Sequence, residues 1–548
     1  MSFHDAVVYQ IYPKSFRDSN ADGVGDLRGI IEKVEHIASL GVDLVWLNPF
    51  YPSPQRDNGY DVSDYCAVDP SMGTMEDFEE LVEELGKHRI GVMLDMVLNH
   101  TSTAHEWFQK ALAGEQKYRD YYIIRPPKAD GSPPTSWGSK FGGNAWAPFG
   151  DTGDYYLHLF DITQADLDWR NPEVRAEMAA VVNFWRGKGV KAFRFDVINL
   201  IGKQAELLDG TPGTDGRDAY TDGPDVHPYL RELAAASFGQ DEDSVTVGEM
   251  SSTSIEACVG YSNPDNHELS MVFNFHHLKV DYAGGQKWTL MPFDLAELKR
   301  LLDEWARGMQ AGNGWNALFW NNHDQPRAID RFGDPANYHT ESATMLATAI
   351  HLLRGTPYVY MGEEIGMTDP LYEAMTDYVD VEAQHAFAEL VTNGETPQRA
   401  FEIVHAKARD NARTPMQWDS STHAGFSDVA PWLRPTNQER INVADEEAGG
   451  RILPYYRELI ALRKRDELIS EGSYESFDPG HEAVFGYLRS HQGRRLLVLA
   501  NFHAEPAEVT IAEDFAAGSV LIGNHDDVAL ASRLVLRPYE ALGIVAEG

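Results

Sequence analysis

Ionisable and polar residues recur at the carboxyl ends of short apolar runs in this sequence, where a buried strand would normally carry only aliphatic side chains. In KAFRFDVI, Arg194 and Asp196 stand one residue apart inside such a run. Comparable positions in other runs hold Asn99, His100, Glu249, His323 and Asp324. A single Asp at a strand end is more often a helix cap, but three carboxyl groups, two histidines and an arginine on one rim favour acid–base or nucleophilic chemistry. Arg194 would then be a fixed cation that keeps its neighbouring carboxylate ionised.

Eight β-rich runs could supply that rim, and most are followed by a segment with helical periodicity. The runs are VVYQIYP (7–13), LVWLNPF (44–50), GVMLDMVLNH (91–100), KAFRFDVI (191–198), SVTVGEM (244–250), LSMVFNF (269–275), NALFWNNHD (316–324) and TPYVYMGEE (356–364). Amphipathic stretches such as TMEDFEELVEELGKHR stand between them. This alternation predicts an α/β fold, a closed parallel (β/α)8 TIM barrel, in which side chains at the strand ends converge on one pocket.

Composition indicates a globular protein of more than one domain, since 548 residues with 43% hydrophobic content can bury a large core. With 46 Lys and Arg against 85 Asp and Glu, the formal net charge is −39, which argues against nucleic acid or anionic lipid as a partner. A cytoplasmic location is expected, because the sequence shows neither a signal-peptide pattern nor an apolar run of membrane-spanning length. Cys66 and Cys258 lack metal-ligand or redox spacing and are expected to be small buried hydrophobes rather than a disulfide.

The ordered motifs at these strand ends resemble those of the α-amylase superfamily of retaining glycoside hydrolases, glycoside hydrolase family 13. They are DMVLNH (95–100), FRFD (193–196), GEM (248–250) and NNHD (321–324), with QADLD (164–168) as the signature of an inserted domain. The resemblance covers nearly the whole chain. It implies that Asp196 is the nucleophile, that Glu249 is the general acid/base, and that Asp324 is a third carboxylate that binds ring hydroxyls and favours a distorted sugar ring.

That chemistry sets a requirement on the two reacting carboxyl groups. In a retaining mechanism one carboxylate attacks the anomeric carbon while a protonated carboxyl, roughly 5 to 5.5 Å away, donates its proton to the leaving oxygen. Glu249 must therefore be protonated in the resting enzyme while Asp196 is charged. We expect Arg194 to lower the pKa of Asp196, and negative neighbours to raise that of Glu249. No cofactor is required for catalysis.

A further motif, QRDNGYDV (55–62), resembles the exo-acting α-glucosidases of this superfamily. The resemblance implies that Asp57 and Arg409, the latter in ARDNARTPMQWD, grip the far hydroxyl of the terminal glucose, and that Tyr60 stacks on the sugar. Asp61 is expected to pair with an arginine. The residues expected to complete the glucose site are His100, Phe141, Arg194 and His323. For Tyr60 and Phe141 the alternative is ordinary core packing.

The loop DSNADGVGD (18–26) carries oxygen donors at alternate positions, as the first part of a calcium-binding loop does. The candidate ligands are Asp18, Asn20, Asp22, Asp26 and the carbonyl of Val24. Gly29 stands where an EF-hand would have its bidentate glutamate, and a solvated acidic turn is the alternative. The spacing and the family resemblance together favour a structural Ca²⁺ or Mg²⁺ that supplies no catalytic water.

The same resemblance divides the chain into a barrel that is interrupted by an insertion and followed by a small domain. We expect residues 1–100 and 172–470 to form the catalytic barrel, and residues 101–171, rich in Gly, Pro, Trp and Tyr, to form an inserted lid-like domain B. After LPYYRELIALRKRD the chain changes to short β runs, so residues 471–548 are predicted to form an antiparallel β-sandwich. A monomer is expected.

Within the superfamily the pattern is most similar to trehalose-6-phosphate hydrolases and next to oligo-1,6-glucosidases. The distinction rests on NFHHLKVDYAGGQKW (274–288), where His277, Lys279 and Lys287 replace acidic or neutral residues. Lysines on the leaving-group side could hold a sugar 6-phosphate through charge-assisted hydrogen bonds. One alternative is that they are surface lysines and the substrate is a neutral disaccharide. A more remote one is a non-catalytic barrel that partners a membrane transporter, although such barrels have lost the three carboxyl groups.

Overall fold

Eight parallel strands form a barrel at the centre of the protein. The structure, a computed structural model, describes residues 2–547. The barrel strands, first to eighth, are Val8–Ile11, Leu44–Leu47, Gly91–Met96, Ala192–Phe195, Val245–Glu249, Met271–Phe273, Ala317–Leu318 and Thr356–Tyr360. They pair in chain order, the eighth returns to the first, and a bridge between Val272 and Asn316 joins the sixth strand to the start of the seventh. Each predicted run contains one of these strands, so the predicted barrel is confirmed.

Helices follow the strands and lie around the barrel or at its carboxyl end. They are Leu27–Glu32, Val34–Leu40, Met75–Lys87, Pro172–Gly187, Arg217–Tyr220, Val226–Ala236, Ile255–Ser262, Leu295–Ala311, Ala328–Phe332, His339–His351, Val381–Thr392, Pro397–Lys407, Asp410–Arg413, Val443–Gly449, Ile452–Arg465 and Glu467–Ser470. Helix Met75–Lys87 shows why such segments form. Thr74 and Asp77 make a reciprocal capping box at its start, and Phe78, Leu81 and Leu85 recur at helical spacing and are fully buried.

The segment between the third barrel strand and helix Pro172–Gly187 forms small antiparallel sheets over the carboxyl end of the barrel. Its strands are His100–Ser102, Ile124–Arg125, Trp146–Pro148, Tyr155–Leu157 and Gln164–Asp166, and its helices are Glu106–Leu112 and Gln116–Arg119. Strand His100–Ser102 pairs with Gln164–Asp166, which places the two ends of the segment side by side. Asn171 caps the helix that returns the chain to the barrel.

The C-terminal part of the chain is an antiparallel β structure with its own apolar core. Its strands are Ser473–Phe477, Val484–His491, Arg494–Asn501, Ala507–Thr510, Ser519–Gly523, Arg533–Leu536 and Ala541–Ala546, with one short helix, Glu513–Ala516. Five strands form one sheet and two form another. Tyr474 donates its hydroxyl to Asp303 at 3.0 Å, which fixes the larger sheet to a barrel helix. The antiparallel sheet predicted for this region is confirmed.

The two cysteines are both free, and they differ in exposure. Cys258 is buried, as expected, whereas the prediction that Cys66 is buried is wrong, because its loop leaves it at the surface. Within residues 2–547, no helix has both the length and the apolar character needed to cross a membrane.

Candidate active site

A cavity of about 520 Å³ opens at the carboxyl ends of the barrel strands. Its wall brings together most of the predicted site residues, although they are distributed over more than 350 positions of the sequence. They are Asp57, Tyr60, His100, Phe141, Asp196, Glu249, Lys279, Lys287, Asp324 and Arg409. Arg194 and His323, which were also predicted, lie behind this wall and are fully buried.

The position of Asp196 follows from the end of the fourth barrel strand. Its backbone N–H donates to the carbonyl of Met96, the last residue of the third strand, at 3.0 Å, so Asp196 is still held in the sheet. The next residue, Val197, has a φ of 37°, in the left-handed region that a β-branched residue rarely occupies. The chain therefore turns away directly after Asp196, and local strain of this kind is typical of functional sites.

Arg194 connects the charged groups beneath the cavity. Its Nη1 donates to Asp95 Oδ1 and to Asp196 Oδ1, both at 2.7 Å, and its Nη2 contacts the carboxyl group of Glu249. Tyr60 donates its hydroxyl to the other oxygen of Asp95 at 2.8 Å. One guanidinium thus orients both predicted reacting carboxyl groups, as its planar fork of donors allows. Asp95, to which the sequence analysis assigned no role, is its third anchor.

The two predicted reacting carboxyl groups hold protons with different affinity. Burial raises the pKa of Glu249 to about 8; Arg194 opposes this shift, and the charges of Asp196 and Asp324 add to it. Arg194 lowers the pKa of Asp196, as expected, but burial has the larger effect and the net pKa is raised to about 6. At neutral pH Glu249 is therefore protonated and Asp196 charged, which is the order that a retaining hydrolase needs.

Asp324 stays charged through a different set of neighbours. Burial alone would raise its pKa, but His323 when protonated and the guanidinium groups of Arg409 and Arg413 hold the pKa well below its ordinary value. Because burial lowers the pKa of His323 to about 3, the arginines are the cations present at neutral pH. Arg413 Nη2 donates to Asp324 Oδ1 at 2.8 Å. The sequence analysis missed Arg413, although it stands in the same motif as Arg409.

The predicted pair of Asp57 and Arg409 is in contact. Arg409 Nη2 donates to Asp57 Oδ1 at 3.0 Å, and the side-chain amide of Gln164 donates to the other oxygen at 3.0 Å. Burial raises the pKa of Asp57 to about 7, although Arg409 lowers it. Asp380, which is fully buried and was not predicted, accepts from Arg409 at 2.6 Å and from Arg413 at 3.2 Å. Asp380 therefore holds both guanidinium groups in place.

The aromatic residues predicted for the glucose site face the cavity and also pack against their neighbours. The ring of Phe141 lies 5.0 Å from the guanidinium carbon of Arg409. Tyr60 is stacked on His323, with 5.2 Å between ring centroids and 4° between planes, and it also lines the cavity. For these residues core packing and cavity lining are thus compatible rather than alternatives.

The two predicted histidines are neutral at ordinary pH. Burial lowers the pKa of His100 to about 4 and that of His323 to about 3. His323 Nδ1 lies 3.0 Å from the amide nitrogen of Gln10 and 3.1 Å from that of Asn48, which are donors, so the ring proton is assigned to Nε2. That Nε2 lies 3.3 Å from Asp324 Oδ2, without hydrogen-bond geometry to any group in residues 2–547. His323 therefore presents an N–H beside the third carboxylate.

The prediction that Asp61 pairs with an arginine is wrong. Its carboxylate accepts hydrogen bonds from Ser53 Oγ at 2.8 Å and from the backbone N–H groups of Arg56 and Asp57 at 3.0 and 3.1 Å. A carboxylate that accepts hydrogen bonds from backbone N–H groups of the same turn stabilises the conformation of that loop. Asp61 therefore holds the turn that presents Asp57 to the cavity.

The two lysines predicted to bind phosphate both line the cavity but differ in charge pairing. Lys279 lines the cavity without an ion pair to any residue of the described chain, and burial lowers its pKa. Lys287 also lines the cavity, but its Nζ lies 2.7 and 2.9 Å from the carboxylate oxygens of Glu382. His277, which the sequence analysis named only as part of the distinguishing segment, is buried, with Nε2 2.9 Å from the carbonyl of Phe319. His276 lines the cavity instead, because neighbouring side chains of this 3₁₀ turn point in different directions.

Two further cations that the sequence analysis missed, Lys140 and Arg217, line the same cavity. Lys140 Nζ lies 2.8 Å from Ser251 Oγ, two residues beyond Glu249. Burial lowers the pKa of Lys140 to about 8, and the charges of Arg217 and Lys279 add to the shift. Lys140 stands next to Phe141 in SKFGGNAW and could have been found there, whereas Arg217 lies in a polar segment without a recognisable pattern.

In the predicted metal loop, the carboxylates accept hydrogen bonds from the protein itself. Asp18 accepts the backbone N–H groups of Asn20, Ala21 and Gly23 and the hydroxyl of Ser427. Asp22 accepts the N–H of Val24, and Asp26 caps helix Leu27–Glu32. Across residues 2–547, no group of three or more His, Cys, Asp or Glu side chains is arranged to hold a metal ion. The oxygen donors suit a hard cation chemically, but in this geometry they serve the turn.

Known proteins resemble this chain over almost its whole length. The family profile described as "Alpha amylase, catalytic domain" matches residues 10–472. Trehalose-6-phosphate hydrolase of Bacillus subtilis (strain 168) is 48% identical over 544 residues, which cover 98% of this chain and 97% of the relative. Oligo-1,6-glucosidase of Bacillus cereus is 43% identical over 549 residues, 98% of each chain.

A solved structure shows the same likeness in three dimensions. The crystal structure of Bacillus licheniformis trehalose-6-phosphate hydrolase superposes on this protein with a TM-score of 0.95, at 46% identity and with both chains fully covered. The family match spans most of the chain, and the strand ends that carry its motifs meet in one cavity. The chain therefore belongs to the α-amylase family of glycoside hydrolases.

Proposed function

We propose that this protein is a retaining, exo-acting α-glucosidase that hydrolyses trehalose-6-phosphate to glucose and glucose-6-phosphate. Its similarity to trehalose-6-phosphate hydrolases over the full chain supports this function. The observation that carries the choice of a phosphorylated substrate is the group of cations, Lys140, Arg217 and Lys279, that lines the cavity of a strongly anionic protein.

In the proposed mechanism, Asp196 attacks the anomeric carbon of the terminal glucose while Glu249 gives its proton to the departing glycosidic oxygen. The resulting glucosyl ester on Asp196 is then hydrolysed by a water molecule whose proton returns to Glu249. Two displacements on one carbon retain the α configuration. The raised pKa of Glu249 supports its role as acid, and the short contacts of Arg194 with both carboxyl groups support their mutual orientation.

The proposed grip on the terminal glucose uses groups that close one side of the cavity. Arg409 and Asp57 would hold the far hydroxyl, Tyr60 would stack on the ring, and Asp324 would bind ring hydroxyls. The buried pair of Arg409 with Asp57 supports this, because it leaves both groups fixed before substrate arrives. A cavity that is closed behind the terminal sugar has no room for a further sugar on that side, so the enzyme would act only at the end of its substrate.

The leaving group must lie near Glu249, since that residue protonates the departing oxygen. Lys140 reaches Ser251, two residues beyond the general acid, and its ammonium is close enough to the guanidinium of Arg217 and the ammonium of Lys279 for their charges to lower its pKa. Arg217 has a carboxylate partner, Asp215, at 3.4 Å, whereas Lys140 and Lys279 have none within ion-pair distance in the described chain. Their mutual repulsion in a partly desolvated site therefore favours a bound anion. A 6-phosphate on the leaving glucose would supply that anion through charge-assisted hydrogen bonds.

A second candidate function is hydrolysis of neutral disaccharides, as an oligo-1,6-glucosidase. The pairing of Lys287 with Glu382 favours it, because a lysine that already has a carboxylate partner offers less to a phosphate. The 43% identity to the enzyme of Bacillus cereus also keeps it open.

We also propose that the loop 18–26 holds a structural Ca²⁺ or Mg²⁺, with Asp18, Asn20, Asp22, Asp26 and the carbonyl of Val24 as its ligands. The alternate spacing of hard oxygen donors supports this. The bound ion would bring together carboxylates that now accept N–H groups of the turn, and no catalytic step depends on it.

Substrate choice is tested by comparing turnover of trehalose-6-phosphate, trehalose, isomaltose and sucrose, and by the Lys279→Ala variant. Loss of one charge-assisted contact of about 1.5 to 3 kcal/mol should lower kcat/KM for trehalose-6-phosphate by one to two decades. Hydrolysis of p-nitrophenyl α-glucoside should change little, because the glucose grip is untouched. Added salt should weaken binding of the phosphorylated substrate more than binding of the neutral one, because it screens the contact between lysine and phosphate.

The matched control is Lys110→Ala, which removes one lysine of the insertion that pairs with Glu106 outside the cavity. It should leave both activities as in the wild type. If the wild-type enzyme prefers isomaltose to trehalose-6-phosphate, or if Lys279→Ala lowers both activities equally, the phosphate assignment is wrong and oligo-1,6-glucosidase is the better description.

A further inference from the structure

A chain of charged contacts joins Lys287 to the glucose grip. The Nζ atom of Lys287 lies 2.7 and 2.9 Å from the carboxylate oxygens of Glu382. The Oε2 atom of Glu382 lies 3.3 Å from Nε of Arg409. Arg409 in turn donates to Asp57 at 3.0 Å and faces Asp324 at 3.5 Å. Glu382 therefore contacts both a predicted phosphate-binding lysine and the arginine that grips glucose.

The half-buried carboxylate of Glu382 forms ion pairs with these two cations, Lys287 and Arg409. The side chain is 14% exposed, so water competes weakly for its charge. Its backbone is fixed in the first turn of helix Val381–Thr392, directly after Asp380, which itself holds Arg409 at 2.6 Å. A change in the charge at Lys287 must therefore be felt at Glu382 and, through it, at Arg409.

A phosphate that binds Lys287 would change that charge in a definite direction. The anion would pair with the Lys287 ammonium and repel the Glu382 carboxylate. That carboxylate would then interact more strongly with Arg409 Nε. A guanidinium is planar and rigid, so a stronger hold at Nε keeps Nη2 on Asp57 and Nη1 towards Asp324. The glucose grip would be better ordered when the phosphate site is occupied.

We propose that Glu382 is a positioning residue that couples phosphate binding at Lys287 to the grip of Arg409 on the terminal glucose. The proposal rests on the proposed function and extends it. Selectivity for a phosphorylated sugar then has two sources: direct contact with the phosphate, and an improved hold on the glucose at the other side of the bond. A neutral disaccharide would receive neither.

The test is a binding cycle on the full-length protein, with 1-deoxynojirimycin as probe of the glucose site and inorganic phosphate as probe of the lysine site. Calorimetry at constant ionic strength gives the Kd of 1-deoxynojirimycin without phosphate and at saturating phosphate. In the wild type, saturating phosphate should lower the Kd of 1-deoxynojirimycin about fivefold. Saturating 1-deoxynojirimycin should lower the Kd of phosphate by the same factor, as linkage requires. In Glu382→Gln this factor should fall to about one.

A merely structural role of Glu382 predicts a different pattern. If Gln simply loosened the site, both probes would bind more weakly. The proposed role predicts that phosphate alone binds Glu382→Gln more tightly than the wild type, because Lys287 is released from its partner and a repulsive charge is removed. Glu382→Asp, which keeps the charge on a shorter side chain, should restore part of the coupling.

The matched control is Glu389→Gln, on the same helix, which faces the cavity but has no ion pair with Lys287 or Arg409. It should keep the wild-type coupling factor. The proposal is overturned if phosphate leaves the affinity for 1-deoxynojirimycin unchanged in the wild type, or if Glu382→Gln retains the coupling. Failure of the proposed function is a separate result, since it is decided by whether the wild-type enzyme turns over trehalose-6-phosphate in preference to isomaltose.

Discussion

Lys203 Nζ lies 2.8 Å from Asp166 Oδ1 in a buried ion pair between the barrel and the insertion. The ammonium also donates to Asn99 Oδ1 and to the carbonyl of Leu200, both at 2.7 Å, so that it is surrounded by oxygen acceptors. Asp166 belongs to the strand that pairs with His100–Ser102. The pair therefore fixes the part of the insertion that borders the cavity.

Replacement of Lys203 by Met should destabilise the protein strongly. Removing one partner of a buried ion pair leaves an uncompensated charge, here Asp166, and typically lowers the free energy of unfolding by about 3 to 5 kcal/mol. Denaturant unfolding followed by fluorescence measures this loss. Adding Asp166→Asn to the Lys203→Met protein should recover part of it, because the unpaired carboxylate is removed. Equal stability of the single and double variants would contradict the explanation.

Replacement of Glu249 by Gln should affect substrates according to their leaving groups. For trehalose-6-phosphate, loss of general acid catalysis should lower kcat by about 10² to 10⁴. The rate constant of the first chemical step should fall less for p-nitrophenyl α-glucoside, because p-nitrophenolate departs without prior protonation. Burst kinetics at acidic to neutral pH separate that step from hydrolysis of the intermediate.

Replacement of Asp196 by Asn should abolish turnover of both substrates while the melting curve stays close to that of the wild type. The amide cannot form the glucosyl ester, whatever the leaving group. An Asp196→Asn protein with wild-type activity would disprove the assignment of the nucleophile.

The pH dependence of kcat/KM should be bell-shaped with a maximum near neutral pH. Below about 6, Asp196 becomes protonated and loses its nucleophilic charge, and above about 8, Glu249 loses the proton that it must donate. Initial rates on trehalose, whose leaving glucose needs the proton of Glu249, report these two groups in the free enzyme when they are measured across both limbs at fixed ionic strength. A rate that still rises at pH 9 would show that the general acid is not the group that titrates near 8.

The preference for a phosphorylated substrate should decline in alkaline solution. The pKa of Lys140 is about 8, so its ammonium charge is lost as the pH rises through that value. The ratio of kcat/KM for trehalose-6-phosphate to that for trehalose removes the common effect of Glu249, because both leaving sugars need its proton. This ratio should fall between pH 7 and 9.5 in the wild type and stay nearly level in Lys140→Arg, which keeps its charge. A level ratio in the wild type would exclude Lys140 from phosphate recognition.

Removal of divalent ions should lower the melting temperature without abolishing activity at moderate temperature. A structural ion that binds the folded loop 18–26 stabilises the folded state by mass action and takes no part in the chemistry. Thermal melting after exhaustive chelation, and again after Ca²⁺ or Mg²⁺ is restored, measures the effect. If the two curves coincide, the loop is an acidic turn held by its own N–H groups.

Local patterns in the sequence were sufficient to predict the barrel and to place the proposed catalytic carboxyl groups at its rim. Each barrel strand is a continuous apolar run, and parallel strands place their carboxyl ends at one rim whatever the details of packing. Asp196 and Glu249 follow from that rule, since each stands at the end of such a run. The contact between Asp57 and Arg409, 352 positions apart, was accessible only through the resemblance to a family.

The tertiary structure alone decided which charges are free and which are paired. Lys287 was predicted as a phosphate ligand, but it is held by Glu382, 95 positions away, and no local pattern contains that information. His276 rather than His277 lines the cavity, and Asp61 turns to its own loop, because side-chain direction in turns depends on the packing around them. The pKa of Asp196 likewise depends on the balance between desolvation and the charge of Arg194. Burial, distance and pairing are properties of the folded chain, which is why the sequence could indicate the proposed reacting groups but not their electrostatic state.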